Sequence, residues 1–384
     1  MNNLIAALLQ PVSFLILISV VITVHELGHY LVGRFFGAAV ESFSVGFGKP
    51  LLTVKDRRGT HWRINWLPLG GFVKFVGEMQ SPKDSRETVD GPVGKAFTQI
   101  AALPRLAISL GGPAANFIFA ILVYTIWALS FGLPVADQVR VSEVIAGGPA
   151  QAAGFKVGDV LVEAGGRKVE TSNDVSQATI LRAGEPVEYR ILRDGQPMVL
   201  KATPVSQAYT DPVYKVTEKT GHIGLGMAQG NLHFKRLGPI AALGYGVSHT
   251  ADTIGTTVTV LRRLVTGRDG LDKLNGPVGM LNFTGNVTDA HIKDTDVGMG
   301  TRLAGLALDI VQMAALFSIG VGFFNLLPIP VLDGGAAVMC IAESITGREI
   351  PERVQRVGLT IGLACLISFA VVITWNDITR WLTA

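Results

Sequence analysis

The sequence predicts a polytopic α-helical membrane protein: four transmembrane helices, a membrane-associated β-hairpin or sheet, and a small α+β domain outside the bilayer. Three observations carry this. Mean hydropathy is +0.40 and only 16% of the 384 residues are charged, too apolar for a soluble chain of this length. Four stretches, 4–36, 103–131, 303–327 and 357–375, each hold the roughly 20 largely apolar residues that cross a bilayer. Residues 136–205 change character, to short β-type runs, glycine turns and more charge. The implied organisation is 1–131 (first two spans and their link), 132–230 (the α+β domain and its extension), 231–302 (a juxtamembrane region) and 303–384 (the last two spans).

The first span ends in His25-Glu26-Leu27-Gly28-His29. On a helix the two histidines share a face about one turn apart, a rise of roughly 6 Å. Imidazoles so spaced can share one Zn²⁺, with the intervening Glu26 placed to activate water. Ionisable groups inside an apolar span are costly and mark function by default. The ordinary alternative, a hydrogen-bonded core histidine, does not cover two histidines and a carboxylate bordering lipid. No basic n-region precedes the apolar run, so it reads as a retained first span.

Charge sets the orientation. Residues 1–33 contain no Lys or Arg, whereas 34–105 contain eleven, and Arg348, Arg353 and Arg356 lie between the last two spans. Both links are expected in the cytoplasm, with the termini and residues 132–302 outside. A net charge of +3, scattered, argues against nucleic acid as a partner. Cys340 and Cys365 lie in or beside apolar stretches, so neither a disulfide framework nor thiolate ligation is expected.

In the first link, 42–54 and 62–76 are rich in β-branched, aromatic and glycine residues around the turn-forming Asp56-Arg57-Arg58-Gly59. This predicts a β-hairpin made hydrophobic by Phe43, Phe47, Trp62, Trp66, Phe72 and Phe75. It is either a sheet that merely covers the membrane face or one whose free edge pairs with an extended peptide. In the second case Gly70 and Gly71 are candidate substrate-positioning residues. Residues 81–94 form a polar linker. The second span opens with Gly111-Gly112-Pro113-Ala114-Ala115-Asn116. Small residues there suit packing against the first span, and Asn116 is a candidate either for bonding a neighbouring helix or for a place near the metal site and substrate.

Within the soluble region, 139–145, 149–155, 157–161 and 190–195 read as strand, short helix, strand and later strand, and 223–227 as a further strand. The order, with its Ala-Gly-Phe-x-x-Gly-Asp-x-Leu core, resembles a bacterial PDZ domain, which implies a groove for extended peptide C-termini. Residues 239–265 carry His249 and Asp252 and end in Arg262-Arg263, suggesting an amphipathic helix lying on the membrane.

Zinc needs a third protein ligand. Phe35 stands where the extended soluble-protease pattern has a third His, and Glu41 lies beyond Gly33 and Gly37, outside the span. The better candidate is Asp333 in Asn325-Leu326-Leu327-Pro328-Ile329-Pro330-Val331-Leu332-Asp333-Gly334-Gly335, at the inner end of a span, the depth of His25. Pro328 and Pro330 should break the helix there, tolerable at membrane depth only beside protein or water. For Asn325, capping of the broken helix competes equally with contact to a substrate backbone, and Pro328 joins it as a substrate-positioning candidate.

Together these stretches, with Asn275-Gly276-Pro277-Val278-Gly279-Met280, resemble the site-2 protease family of intramembrane zinc metalloproteases, in its bacterial RseP-type branch. The resemblance implies hydrolysis of single-span membrane proteins, such as anti-sigma factors or signal-peptide remnants, in regulated intramembrane proteolysis at the bacterial inner membrane. His25, His29 and Asp333 would bind Zn²⁺, and Glu26 would act as general base and then acid. One departure is expected: many members carry two tandem PDZ domains, and this chain has room for one plus a remnant at 223–227. Two rival classes remain. A membrane-anchored PDZ scaffold would not need Glu26, and an ion transporter would show repeated halves and a polar pathway, neither of which is found.

Overall fold

The computed structural model describes residues 2–77, 92–210, 217–268, 270, 274, 276–293 and 297–383. Asn275 and most of the expected polar linker, 81–91, lie outside them. The chain divides into two compact units, 1–124 with 246–257 and 274–384, and 125–245 with 258–273.

The first unit holds the apolar helices. Helices α1 (Asn2–Phe35), α2 (Ala102–Phe131), α7 (Met299–Asn325) and α9 (Glu352–Thr383) are long and apolar enough to cross a membrane, at the four places expected. Lipid gives helices no hydrophobic reason to associate, so close backbone approach does that work. A Cβ on Gly28 would stand 2.2 Å from the Gly111 carbonyl oxygen, so α1 and α2 meet backbone to backbone. On another face of α2, Gly322 of α7 packs at Asn116, and the Ser318 hydroxyl donates to the Asn116 carbonyl at 3.2 Å. Helix α2 is thus clasped between α1 and α7.

Strands β1 (Val40–Lys55) and β2 (His61–Phe75) fold further than a hairpin. The expected hairpin is present, Leu52 facing Ile64 and Lys55 facing His61 across the Asp56–Thr60 turn. Both strands also bend back, so that residues 42–45 pair with 61–64 on one side and with 71–74 on the other. The segment 71–74 becomes an outer edge. The sheet lies along α1: the Ser19 hydroxyl donates to the Pro68 carbonyl at 2.6 Å, and Gly33 packs on Phe75. Fourteen residues of helix make that a run of about 20 Å. Exposed Leu51 and Trp66 fit an apolar surrounding.

Helix α6 (Pro277–Lys293) is not legible as a span, being only 17 residues and rich in Thr, Asn and Gly. It packs against α1, α7 and α9. Asp377 of α9 caps it from outside, accepting the Gly276 and Gly279 amides at 3.2 and 2.8 Å. Helix α5 (Pro239–Val265) spans the predicted residues, and α8 (Asp333–Thr346) follows a break after α7.

The second unit is a six-stranded antiparallel sheet. It contains β4 (Val139–Val144), β5 (Val160–Ala164), β6 (Arg167–Lys168), β7 (Val187–Arg193), β8 (Gln196–Ala202) and β11 (Leu225–Gln229), with helices α3 (Pro149–Ala152) and α4 (Ser172–Ile180). Alternating Val187, Tyr189 and Ile191 bury one face with Val139, Val141, Leu161 and Phe155. The Asp194-Gly195 turn joining β7 to β8 has positive φ at both residues, as a two-residue hairpin requires. Strand β11 pairs with β4 in this same sheet, so 223–227 is no remnant of a second domain. Short pairs β3 (Leu133–Ala136) with β12 (Leu232–Lys235), and β9 (Val205–Thr210) with β10 (Thr217–His222), complete the unit. The order is that of a PDZ-like domain. Asp159, buried, holds Arg193 through two 2.7 Å hydrogen bonds and accepts the Lys156 amide at 2.8 Å. Burial pushes its carboxyl up, but these hydrogen bonds outweigh it and hold the group below the usual carboxylate range.

Candidate metal centre

Helix periodicity brings His25 and His29 onto one face of α1, and the turn ahead of α8 brings Asp333 to them. The His25 and His29 Nε2 atoms lie 3.1 Å apart, and Asp333 Oδ2 lies 3.0 and 3.3 Å from them. Zinc with bonds of about 2.0–2.1 Å in tetrahedral array separates its ligand atoms by roughly 3.3 Å. The triangle is within a few tenths of an ångström of that. Both imidazoles are buried, and Asp333 Oδ2 is buried without a hydrogen-bond donor of its own. Two nitrogen donors and one carboxylate are a three-ligand set suited to catalytic zinc.

The local sequence explains how Asp333 arrives there. Helix α7 stops at Asn325, and the Pro328–Pro330 stretch carries the chain through a tight turn closed by Leu332 N–H donating to the Ile329 carbonyl at 2.8 Å. Asp333 then opens α8, where free amides favour a carboxylate. Gly334 and Gly335 are demanded by the wrap. A Cβ on either would strike a loop carbonyl oxygen, at 2.3 Å from Leu326 and 2.2 Å from Ile329. At its far end α8 is tied to α2 by the 2.6 Å Arg105–Glu343 ion pair.

Glu26 is not free. Its Oε2 accepts the main-chain N–H of Val73 at 2.9 Å, on the outer edge of the β sheet. Nothing in the sequence announces this, because the donor is a backbone atom. The other candidates fall in different places. Asn116, considered for a substrate role or for a place near the metal site, is fully buried with its carboxamide 3.1 Å from His25 Nδ1, so it faces the histidine. Gly70 and Gly71 sit beside the edge, where Gly70 has φ +101° under the Phe47 ring and Gly71 lies against the Ser44 carbonyl. Asn325 is half-buried and Pro328 exposed. Glu41, the weaker ligand candidate, pairs with Lys74 at 3.0 Å instead.

Comparison with known proteins agrees with this chemistry. The model of peptidase family M50 matches residues 13–369. The chain is 36% identical to the metalloprotease MmpA of Caulobacter vibrioides, over 98% of its own length and 97% of that protein. It is also 36% identical to mll0638 of Mesorhizobium japonicum, named as a candidate zinc metalloprotease, over 96% of this chain and 98% of that one. Among solved structures, the PDZ domain of an SdrC-like protein from Listeria monocytogenes matches 24% of this chain and 87% of its own, at 20% identity and a TM-score of 0.20. The chain therefore belongs to peptidase family M50, as a multi-pass membrane metallopeptidase that depends on zinc.

Proposed function

We propose that this peptidase hydrolyses a peptide bond within the membrane-spanning segment of single-span proteins, such as anti-sigma-factor-like substrates or signal-peptide remnants, as a step of regulated intramembrane proteolysis. The observation that carries the reading is the convergence of the His25–His29–Asp333 triangle with a carboxylate that is itself bonded to a hydrophobic sheet edge. His25, His29 and Asp333 hold the metal. Bound zinc supplies Lewis acidity, polarising the scissile carbonyl and making water reactive near neutral pH. Glu26 takes the proton from the attacking water and returns it to the leaving amine.

A spanning helix hides its carbonyls in internal hydrogen bonds. The residues around the cut must unwind, and an unpaired edge offers them new backbone partners. Residues 70–74 supply that edge. Among the described residues the Asn325 side chain makes no hydrogen bond, leaving its amide, beside Pro328, for the substrate backbone. The PDZ-like domain takes peptide C-termini. The protein sits in the bacterial inner membrane, with both termini and the PDZ-like domain outside and the centre near the cytoplasmic side, as the loop charges indicate.

The test is purified protein with a single-span substrate, measuring zinc content and cleavage for the native protein and Glu26→Gln. Zinc retained with cleavage abolished is the expected pair of results. Full-rate cleavage by the variant, or activity without zinc, refutes the mechanism. Cleavage of soluble peptides only, never of a spanning segment, refutes the substrate class.

A further inference from the structure

Positions 108, 112 and 116 of α2 recur every four residues and so share one face. That face is built against the two histidines. Ile108 gives its main-chain carbonyl to His29 Nδ1 at 2.8 Å. Gly112 has no side chain where one would collide with both rings. Asn116, fully buried, brings its carboxamide to 3.1 Å from His25 Nδ1. Each imidazole therefore turns Nε2 toward Asp333 and Nδ1 toward α2.

The two Nδ1 contacts differ in what they permit. A carbonyl can only accept, so Ile108 forces the proton of a neutral His29 onto Nδ1 and leaves the lone pair on Nε2, the form a metal ligand needs. A carboxamide can do either. The amide nitrogen of Asn116 is the atom nearer His25, and Asn116 Oδ1 is buried with no donor. Were that N–H to donate, Nδ1 would hold the lone pair and Nε2 the proton, and His25 could not ligate through Nε2. Half a turn of the amide exchanges its two ends in place and gives Nδ1–H donating to Oδ1.

We propose that Asn116 is a positioning residue for the metal centre: its amide oxygen fixes His25 in the Nδ1–H tautomer, so that α2 presets both imidazoles for zinc. The inference rests on His25 and His29 binding zinc through Nε2. An amide suits the task better than a carboxylate at this depth. Zn²⁺ with ionised Glu26 and Asp333 sums to zero, and a third acid would leave a net charge in an apolar span.

The experiment measures zinc affinity of the full-length protein in detergent, by competition with a chromophoric chelator, for native protein, N116L and N116D. Cobalt(II) absorption reports the coordination geometry. Partners of metal-bound histidines are commonly worth 10–100-fold in affinity. N116L, with no acceptor, is expected to lose that much and to shift the cobalt spectrum. N116D, which can only accept, is expected to stay within about threefold of native. Native affinity in N116L overturns the proposal, and so does N116D falling as far as N116L. Thermal unfolding of the metal-free proteins reports folding separately, and N116A, which also lacks an acceptor, replaces N116L if the latter does not fold. Zinc affinity unaffected by His25→Ala would instead overturn the ligand assignment itself.

Discussion

Gly112→Ala asks the most of the smallest change. A Cβ at this position would lie 2.3 Å from His29 Nε2 and 2.7 Å from His25 Nε2, both ligand atoms. Ordinary contact begins near 3.4 Å, so one or both rings must retreat by up to about 1.1 Å, or α2 must move. Neither is easy. His29 is held by the Ile108 carbonyl one turn away on the same helix, and α2 is locked backbone to backbone against Gly28. Metal–ligand distances tolerate about 0.2 Å, and misplacing a reacting group by about 1 Å can cost 10²-fold in rate. The expected result is a folded protein with zinc affinity down at least tenfold and cleavage down about 10²-fold. Zinc stoichiometry, cleavage of a single-span substrate and thermal unfolding check the three parts. Gly320→Ala is the control, since its added Cβ would meet nothing within 4 Å in α7. Native zinc binding and rate in G112A would refute the geometry. Equal losses in G320A would refute the steric argument.

Two further outcomes test the scaffold. Asp159→Ala leaves the partly exposed Arg193 without its carboxylate, a loss of about 1–3 kcal/mol for hydrogen bonds between charged groups, and hydrogen exchange in β5 and β7 should accelerate in the full chain. Because the folded carboxyl is held below its ordinary value, the pair's contribution is full above about pH 4 and disappears as pH falls through the depressed folded value. Native exchange in the variant would deny the pair that role. Asp377→Ala removes the acceptor for the Gly276 and Gly279 amides, and a cap of this kind is worth about 0.5–2 kcal/mol. Exchange in the first turn of α6 should speed up several-fold or more while α7 is unchanged; no change there would mean that α6 is held otherwise.

What could be read from the sequence was local or compositional. The spans announce themselves by length and apolarity, His25 and His29 by a four-residue spacing, and Asp333 by an acid after two prolines. What escaped reading depends on distant groups. The sheet's second set of pairings joins residues 42–45 to two segments at once, and an alternating pattern shows that each strand exists but not how many neighbours it has. Helix α6 has too many polar residues for a span, and its cap comes from a residue about 100 positions away. Val73 N–H and the Ile108 carbonyl belong to the main chain, which every residue carries, so no motif marks them. Asn116 was legible as a polar residue in a span, and only the fold showed which partner it serves.

The bond between Glu26 and Val73 also bears on where a substrate is cut. The Val73 N–H points out of the sheet to Glu26, and two-residue alternation turns the Gly71 amide to the same outer edge. A substrate strand laid along this edge finds the Gly71 groups open, but the Val73 N–H is already given to Glu26. The substrate carbonyl opposite Val73 therefore lacks the amide that a regular ladder would supply. An unpaired buried carbonyl costs on the order of 1–3 kcal/mol unless something else accepts its lone pair, and it lies next to the catalytic carboxylate. If the substrate binds along this edge, that carbonyl is the one best placed to be polarised, and the scissile bond is expected opposite Val73. Single cysteines walked through a substrate should form a disulfide with Val73→Cys in Glu26→Gln protein most readily at the residues flanking the cut. Val73→Pro, which deletes the amide, should lower kcat at least tenfold, whereas Val73→Ala should not. Cross-linking that peaks four or more residues from the cut, or a native kcat in V73P, would separate the sheet edge from the chemistry.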